Sequence, residues 1–337
     1  MRDVVPIREG FIMFLRIDKL LCELPKADEP DPVAAQVVQE LMGGRFGEMS
    51  TLMNYTYQSF NFRGKDTLKP FYDLVASITA EEMGHIELVA ATINGLLTGS
   101  APREEGKPAS APLKGMFDTG LPHHFLNGGQ GALPTNSLGM PWCGDYVFSS
   151  GDLVLDMLHN FFLESGARLG KLKVYQSSDN QIVRELCGFL LVRGGVHQLT
   201  WTKALEKLTG VEVPKMLNIP KIDLAEIPEA KRWMEQGEHT RLYRFSPNDY
   251  RDMGSIFNGT HPEDGAELSV SEDYSHGGTI DPGEPEPQVY APGYHPDELV
   301  EIAQRLLKNG NAEPIKVTTM PLEQKQEIAA KKATKKR

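Results

Sequence analysis

Four long amphipathic patterns at helical spacing, two short connections that join them as pairs, and a non-periodic stretch of about 50 residues between the pairs predict an all-α core. The arrangement is a ferritin-like four-helix bundle with a long crossover, followed by an irregular C-terminal segment. The first pattern opens at Asp31-Pro32, an N-capping acid followed by proline at the first helical position, and runs to about Phe60. The second opens near Thr67, carries Pro70 in its first turn and ends around Leu97. The short connection Asn61–Asp66 makes these two antiparallel. The third starts near Ser149–Ser150 and runs to about Tyr175; the fourth starts at Asp179 and ends at Gly210, a good C-terminal glycine. Between the pairs, about 98–148, the Gly- and Pro-rich crossover makes the second and third helices parallel.

The domain reading follows from these elements. Residues 1–30 form an N-terminal arm, 31–210 the bundle, 211–310 an irregular segment that packs on the bundle and on neighbouring subunits, and 311–337 a basic tail. Within the irregular segment, one short strand is expected around Ala266–Val270 and a last helix from Pro296 to Asn309–Gly310. Met13 also reads as a plausible start, and no solenoid repeat is present.

Composition bounds the function classes. The chain has 337 residues, a net charge of −11 and 40% hydrophobic residues, enough for a substantial core. The acidic balance argues against nucleic acid as a partner, since phosphate binding needs clustered Lys and Arg; the one basic cluster, Lys331 to Arg337, reads as a solvated end. No apolar run approaches the ~20 residues that span a bilayer, so no membrane partner is expected. Cys22, Cys143 and Cys187 are odd in number and widely spaced, forming neither a disulfide framework nor a metal knuckle, which fits a reducing, cytoplasmic location.

The apolar stripes carry charge. Glu48 lies on the face of Leu41, Leu52 and Tyr55; Glu82 and His85 continue the stripe of Phe71, Leu74, Ile78 and Val89. Glu164 follows Val154, Met157 and Phe161, with Lys171 two turns on, and His197 sits among Leu186, Leu190, Trp201 and Leu205. Three glutamates and two histidines thus point into a helical core, where unpaired carboxylates are very costly. A pair of metal ions resolves that cost, and single glutamates combined with Glu-x-x-His are a known bundle solution. The second helix reads Glu82-Met83-Gly84-His85; the fourth reads Gly194-Gly195-Val196-His197, one acid short of the usual di-iron set.

Each signal alone has a blander explanation. A lone Glu-x-x-His is usually a solvated face, and a lone core histidine is usually a hydrogen-bonded one. It is the convergence of four helices that selects a dimetal site. Rivals fail on spacing: His159 is on a different face from Glu164, and Glu185 lies ~18 Å along the axis from His197. Glu81, four residues before His85, is not excluded by spacing, but at ~100° from Glu82 it is expected on the outer side of the stripe. His123 and His124 read as loop histidines. Gly43, Gly44, Gly47, Gly194 and Gly195 interrupt helices, through close packing or to leave room for an open metal face.

Taken in order, the segments Gly43–Ser50, Glu81–Glu87, Gly144–Gly151 and Leu190–His197 resemble the manganese catalases, the non-haem dimanganese type, from Met13 to about Leu307. The resemblance implies two manganese ions per chain on Glu48, Glu82, His85, Glu164 and His197, with one or more glutamates bridging. It implies a tyrosine, Tyr55, hydrogen-bonded towards Glu48 and the site, and Lys171 lining the access channel. It also implies a hexamer whose C-terminal part clasps neighbours, and hydrogen peroxide as substrate. Some members keep a glutamate three residues before the fourth-helix histidine, paired with an arginine; here those positions are Gly194 and Leu163, so that proton carrier is missing. Some bind calcium at a subunit interface; Asp73 matches one such position but Ser77 stands where a second aspartate would be, which puts calcium in doubt.

The reaction so implied is disproportionation of peroxide by two metals that each change by one electron, with Glu48 and Tyr55 moving protons and Lys171 orienting peroxide. Lys171 reads equally as the structural partner of a nearby acid. Two other classes use the same residues: a ferritin-like di-iron oxidase or peroxidase, and a non-catalytic helical assembly that keeps a metal for stability.

Overall fold

A computed structural model describes residues 19–99, 122–216, 221–278 and 296–310. Residues 1–18 of the expected arm, 100–121 of the crossover and the basic tail lie outside the described residues.

The first rod is two helices rather than one: α1 (Pro32–Gly43) and α2 (Glu48–Phe60). Asp31 caps α1 as expected, its side chain accepting from Ala34 N at 3.0 Å. The break has a steric cause. A Cβ at Gly43 would lie 2.4 Å from the Thr135 carbonyl oxygen, where the crossover backbone passes, and one at Gly47 would lie 2.8 Å from the Leu41 carbonyl. Gly47 becomes the N-cap of α2, so Glu48 starts a helix rather than sitting inside one. Replacing Gly43 by alanine forces backbone apart; we expect a cost of ~1–3 kcal/mol, read as a fall in melting temperature.

Helix α3 (Lys69–Thr98) carries Pro70 in its first turn, and α4 (His123–Leu126) is one turn of the crossover. Helix α5 (Leu153–Ser177) starts a few residues later than expected because Asp152, not Ser149 or Ser150, caps it, accepting from Leu155 N at 3.0 Å. Helix α6 (Gln181–Thr209) ends at Gly210, whose φ of 71° is the left-handed C-cap that glycine favours.

Backbone and side-chain pairings fix the directions. Asp31 N donates to Leu96 O, so α1 runs antiparallel to α3. Gln58 meets Asn160, Tyr55 meets Glu164 and Lys171 meets Glu48, so α2 is antiparallel to α5. Helices α3 and α5 are therefore parallel, as the long crossover requires. Its described part is pinned to the first rod by buried polar side chains: Gln39 Nε2 donates to Thr135 O at 2.8 Å, and Asn54 accepts from Phe148 N at 2.7 Å. His124 is buried, its Nε2 2.9 Å from Gln39 Oε1, so the histidine pair belongs to a packed helical turn rather than an open loop.

The segment after Gly210 is less irregular than its sequence suggests. It holds α7 (Val213–Met216), α8 (Pro228–Glu235) and two short parallel strands, β1 (Arg241–Tyr243) and β2 (Ser269–Ser271), paired Arg241 to Ser269. β2 lies slightly beyond the expected strand; β1 is too short to carry a period. The expected last helix is α9 (Pro296–Gly310), part of a separate unit.

Two apolar cores stack along the bundle. One gathers Val38, Leu88, Ile93, Leu96, Val183, Leu190 and Trp233. The other gathers Leu74, Ile78, Met157, Phe161, Trp201 and Leu205 with Leu242, Met253 and Phe257 from the C-terminal segment. On α3, residues 81–85 fall between the two cores; on α6, Arg193 and His197 lie where the first core, ending at Val192, gives way to the second, which takes up Val196 and Trp201. The charged residues occupy that layer.

Candidate metal centre

The helix starts and stripes bring all five expected side chains together. Glu48 comes from the first turn of α2, where the positive end of the helix dipole favours a carboxylate. Glu82 and His85 come from successive turns of α3, Glu164 from α5 and His197 from α6, and all five are buried.

Glu82 stands between the two imidazoles. Its Oε2 is 3.1 Å from His85 Nδ1 and its Oε1 is 2.7 Å from His197 Nδ1. Glu48 Oε2 joins the first group, 3.5 Å from His85 Nδ1; Glu164 Oε1 joins the second, 3.3 Å from His197 Nδ1. The rings stack at 5.4 Å between centroids. Two half-sites therefore share one carboxylate.

The surrounding side chains hold these acids in place. Thr51 Oγ1 donates to Glu82 Oε2 at 2.8 Å. Tyr55 Oη donates to Glu164 Oε1 at 2.8 Å, so its partner is Glu164 and not Glu48 as expected. Lys171 Nζ is buried and pairs with Glu48 Oε1 at 2.8 Å, the structural-partner alternative for that residue. At Gly194 a Cβ would lie 3.2 Å from the Arg168 stem and 3.6 Å from both Glu164 Oε2 and Lys171 Nζ, so the Arg168 stem packs over that position.

Glu81 overturns its expected place on the outer side. It is buried, accepts from Arg193 Nε at 2.6 Å and Nη2 at 3.1 Å, and faces His197 Nε2 at 3.1 Å and His85 Nε2 at 3.5 Å. One carboxylate thus backs both imidazoles, leaving their Nδ1 atoms turned to the shared Glu82; such partners commonly orient metal-binding histidines. The outer side of α3 at this level is taken by Ala80 and Met83, which are exposed, while Glu81 points to α6 and meets Arg193 and His197 there. Arg193 was the available signal: it falls three residues after Leu190 and four before His197, on the stripe itself.

Electrostatics test whether the donors fit cations. Among the described residues, the buried cations that pair with Glu48, Glu81, Glu82 and Glu164 are Lys171 and Arg193. Burial opposes charging the imidazoles, yet Glu82, with help from Glu48 and Glu81, pushes His85 up to about 10, and Glu81 and Glu82 hold His197 well above its ordinary value. The layer demands positive charge where the Nδ1 atoms converge. Neither nitrogen of His197 forms a hydrogen bond, although carboxylate oxygens crowd it, nor does Glu164 Oε2. Atoms that approach without a proton aligned between them suit a common cation. An all-nitrogen-and-oxygen set without thiolate suits manganese.

A pH prediction follows. A histidine raised from 6.5 to about 10 stabilises the metal-free fold fully below pH 6.5, and that contribution is lost as pH rises through about 10. The metal-free protein should lose melting temperature across this window. Manganese replaces those protons, so the loaded protein should not show the same fall. Melting curves of both forms at matched pH check it.

Residues set aside by spacing are used elsewhere: the His159 ring packs on Phe148 at 4.8 Å between centroids, and Glu185 pairs with Arg232. Asp73 is committed to Lys69, whose Nζ lies 2.8 and 2.7 Å from its two oxygens, and to Asp252 N at 2.9 Å; Ser77 Oγ donates to Tyr243 O. The Lys69 ammonium thus neutralises Asp73.

A family model described as manganese-containing catalase matches residues 13–312. The chain belongs to the manganese catalase family. The manganese catalase of Bacillus subtilis is 38% identical over 197 residues, covering 58% of this chain and 71% of that protein. The manganese catalase of Lactiplantibacillus plantarum is 34% identical over 268 residues, covering 77% of this chain and 93% of that protein. Among solved structures, wild-type KatB, a manganese catalase from Anabaena, aligns at 21% identity with a TM-score of 0.49, covering 77% of this chain and all of that one. Among the described residues, the family's chain here is a helical bundle with a long crossover between its two helix pairs. No described helix is long and apolar enough to cross a membrane.

Proposed function

We infer that the buried polar layer is a dimanganese centre at which the chain disproportionates hydrogen peroxide to water and dioxygen. The observation that carries the reading is Glu82, whose two oxygens each face the Nδ1 of a different histidine. Glu48 and His85 would hold one ion, Glu164 and His197 the other, and Glu82 both. Bound manganese would supply the two-electron couple that takes one peroxide to water and another to dioxygen.

The chain's own residues do the rest. The apolar cores on either side keep bulk water from the layer, which strengthens every charge interaction within it. Burial, then Glu164 and Glu82, raise the Tyr55 phenol well above its ordinary value, so Tyr55 stays protonated and holds that proton on Glu164 Oε1. Glu48 holds Lys171 charged against the pull of burial, and the ammonium neutralises Glu48 Oε1. With Gly194 and Leu163 supplying no acid–base pair, the Tyr55 hydroxyl on Glu164 and the Lys171 ammonium on Glu48 are proton donors set against the carboxylates of the centre.

The N-terminal arm, bundle, irregular segment and tail stand as the proposed domain division. A hexameric assembly and a cytoplasmic location complete the reading. Purification from manganese-supplied cells, metal counting and an oxygen electrode test it. About two manganese per chain with dioxygen release from peroxide alone is the expected result. Iron in place of manganese with a need for added reductant would favour the oxidase class, and full metal without turnover the non-catalytic assembly.

A further inference from the structure

The C-terminal segment holds a second group of ligating side chains that the polar layer does not use. His239, His261 and Asp264 each offer one ligand atom, all within 4.8 Å of one another. His239 Nε2 lies 2.7 Å from Asp264 Oδ2, and His261 Nδ1 lies 3.2 Å from Asp264 Oδ1. The two rings meet edge to face at 5.1 Å.

The backbone around them is closed before any ligand arrives. His261 and Asp264 ride on a hairpin bridged at Thr260 and Glu267, with His261 N donating to Ala266 O at 2.8 Å and Gly265 N to His261 O at 3.0 Å. Gly265, at φ 73°, makes the turn that a side chain would strain. His239 sits on the single helical turn Glu238–Thr240, which Arg193 Nη1 anchors from the bundle by donating to Glu238 O at 2.6 Å. Two independent supports thus hold three ligands against one another.

The donor set is one a cation can use. Each imidazole turns a ring nitrogen to a different oxygen of the same carboxylate, His239 Nε2 to Oδ2 and His261 Nδ1 to Oδ1. Ala266 N donates to Asp264 Oδ1 at 3.0 Å, and that bond holds the carboxyl below its ordinary range, so the group presents a carboxylate.

We propose that His239, His261 and Asp264 form a site for a first-row divalent cation of the zinc type, distinct from the dimanganese centre. Ligands ~2.0–2.1 Å from a tetrahedral ion stand about 3.3 Å apart, close to the 3.2 Å between His261 and Asp264. The 2.7 Å between His239 and the other Asp264 oxygen needs about 0.6 Å of opening to reach that spacing once the proton between them leaves. The side chains of His239 and His261 keep 11% and 14% of their surface and Asp264 keeps 41%, so a fourth position faces water. Two imidazoles and one carboxylate bind zinc above manganese in the usual affinity order, so the two centres would sort their metals.

The test uses the full-length, manganese-loaded protein dialysed against micromolar zinc, with both metals counted per chain. One zinc should be retained in addition to about two manganese. His261→Ala should keep its manganese and its dioxygen evolution while losing the zinc. Asp264→Asn, which keeps the shape of the turn, should weaken zinc at least about tenfold, a cost of ~1.4 kcal/mol; it decides the matter if His261→Ala fails to fold. Equal zinc in wild type and variants, or zinc gained only by displacing manganese, overturns the proposal.

Discussion

Glu82→Ala should empty both halves of the centre at once. Each of its oxygens faces a different histidine, so its loss removes a donor from both groups, whereas Glu48 and Glu164 each face only one. Removing one member of a buried charge constellation costs ~3–5 kcal/mol, and about 4 kcal/mol is a thousandfold in affinity. Manganese per chain should therefore fall from about two to near zero, with dioxygen release lost. Glu164→Ala, by contrast, should keep close to one manganese. Metal counting on the two variants separates a shared carboxylate from a terminal one; equal metal in both would show that Glu82 is not shared.

The largest stability loss should come from Arg193→Met. The guanidinium is fully buried, donates twice to Glu81 and also to the carbonyls of Glu238 and Arg241, and lies over the Tyr243 ring at 3.8 Å. Methionine fills similar volume but leaves the Glu81 carboxylate buried without its cation and two carbonyls without donors. The expected cost is ~3–5 kcal/mol, or roughly 10 °C at ~2–4 °C per kcal/mol for a domain of this size. Glu81→Gln added to Arg193→Met should recover part of it, since the stranded charge is then gone. The single variant should also bind manganese ~10–100-fold more weakly, because Glu81 no longer holds the two rings. No recovery in the double variant would locate the loss in packing instead.

Much of this was legible in the sequence because helical spacing is a strong signal. The caps at Asp31 and Gly210, the extent of α3 and the convergence of Glu48, Glu82, His85, Glu164 and His197 all follow from it. Three features did not. The break before Glu48 depends on Thr135 of the crossover passing over Gly43, a contact between residues far apart in the chain. The inward turn of Glu81 depends on α6 covering what periodicity alone calls the outer side of α3. The partner of Tyr55 depends on how α2 and α5 slide past each other, which sets Glu164 rather than Glu48 opposite the phenol. Spacing within one helix reports its face; it carries nothing about the register between two.

The reach of Arg193 into the backbone of residues 238 and 241 bears on any attempt to pare the protein down. A fragment trimmed after Gly210 would retain every donor proposed for manganese, yet its central guanidinium would lose both carbonyl acceptors and the tyrosine lid above it. Such a minimal bundle would carry an exposed wound at its most charged level. The excised form is thus a poor scaffold for redesign, and a host for the same chemistry should keep the polypeptide through Tyr243 at least.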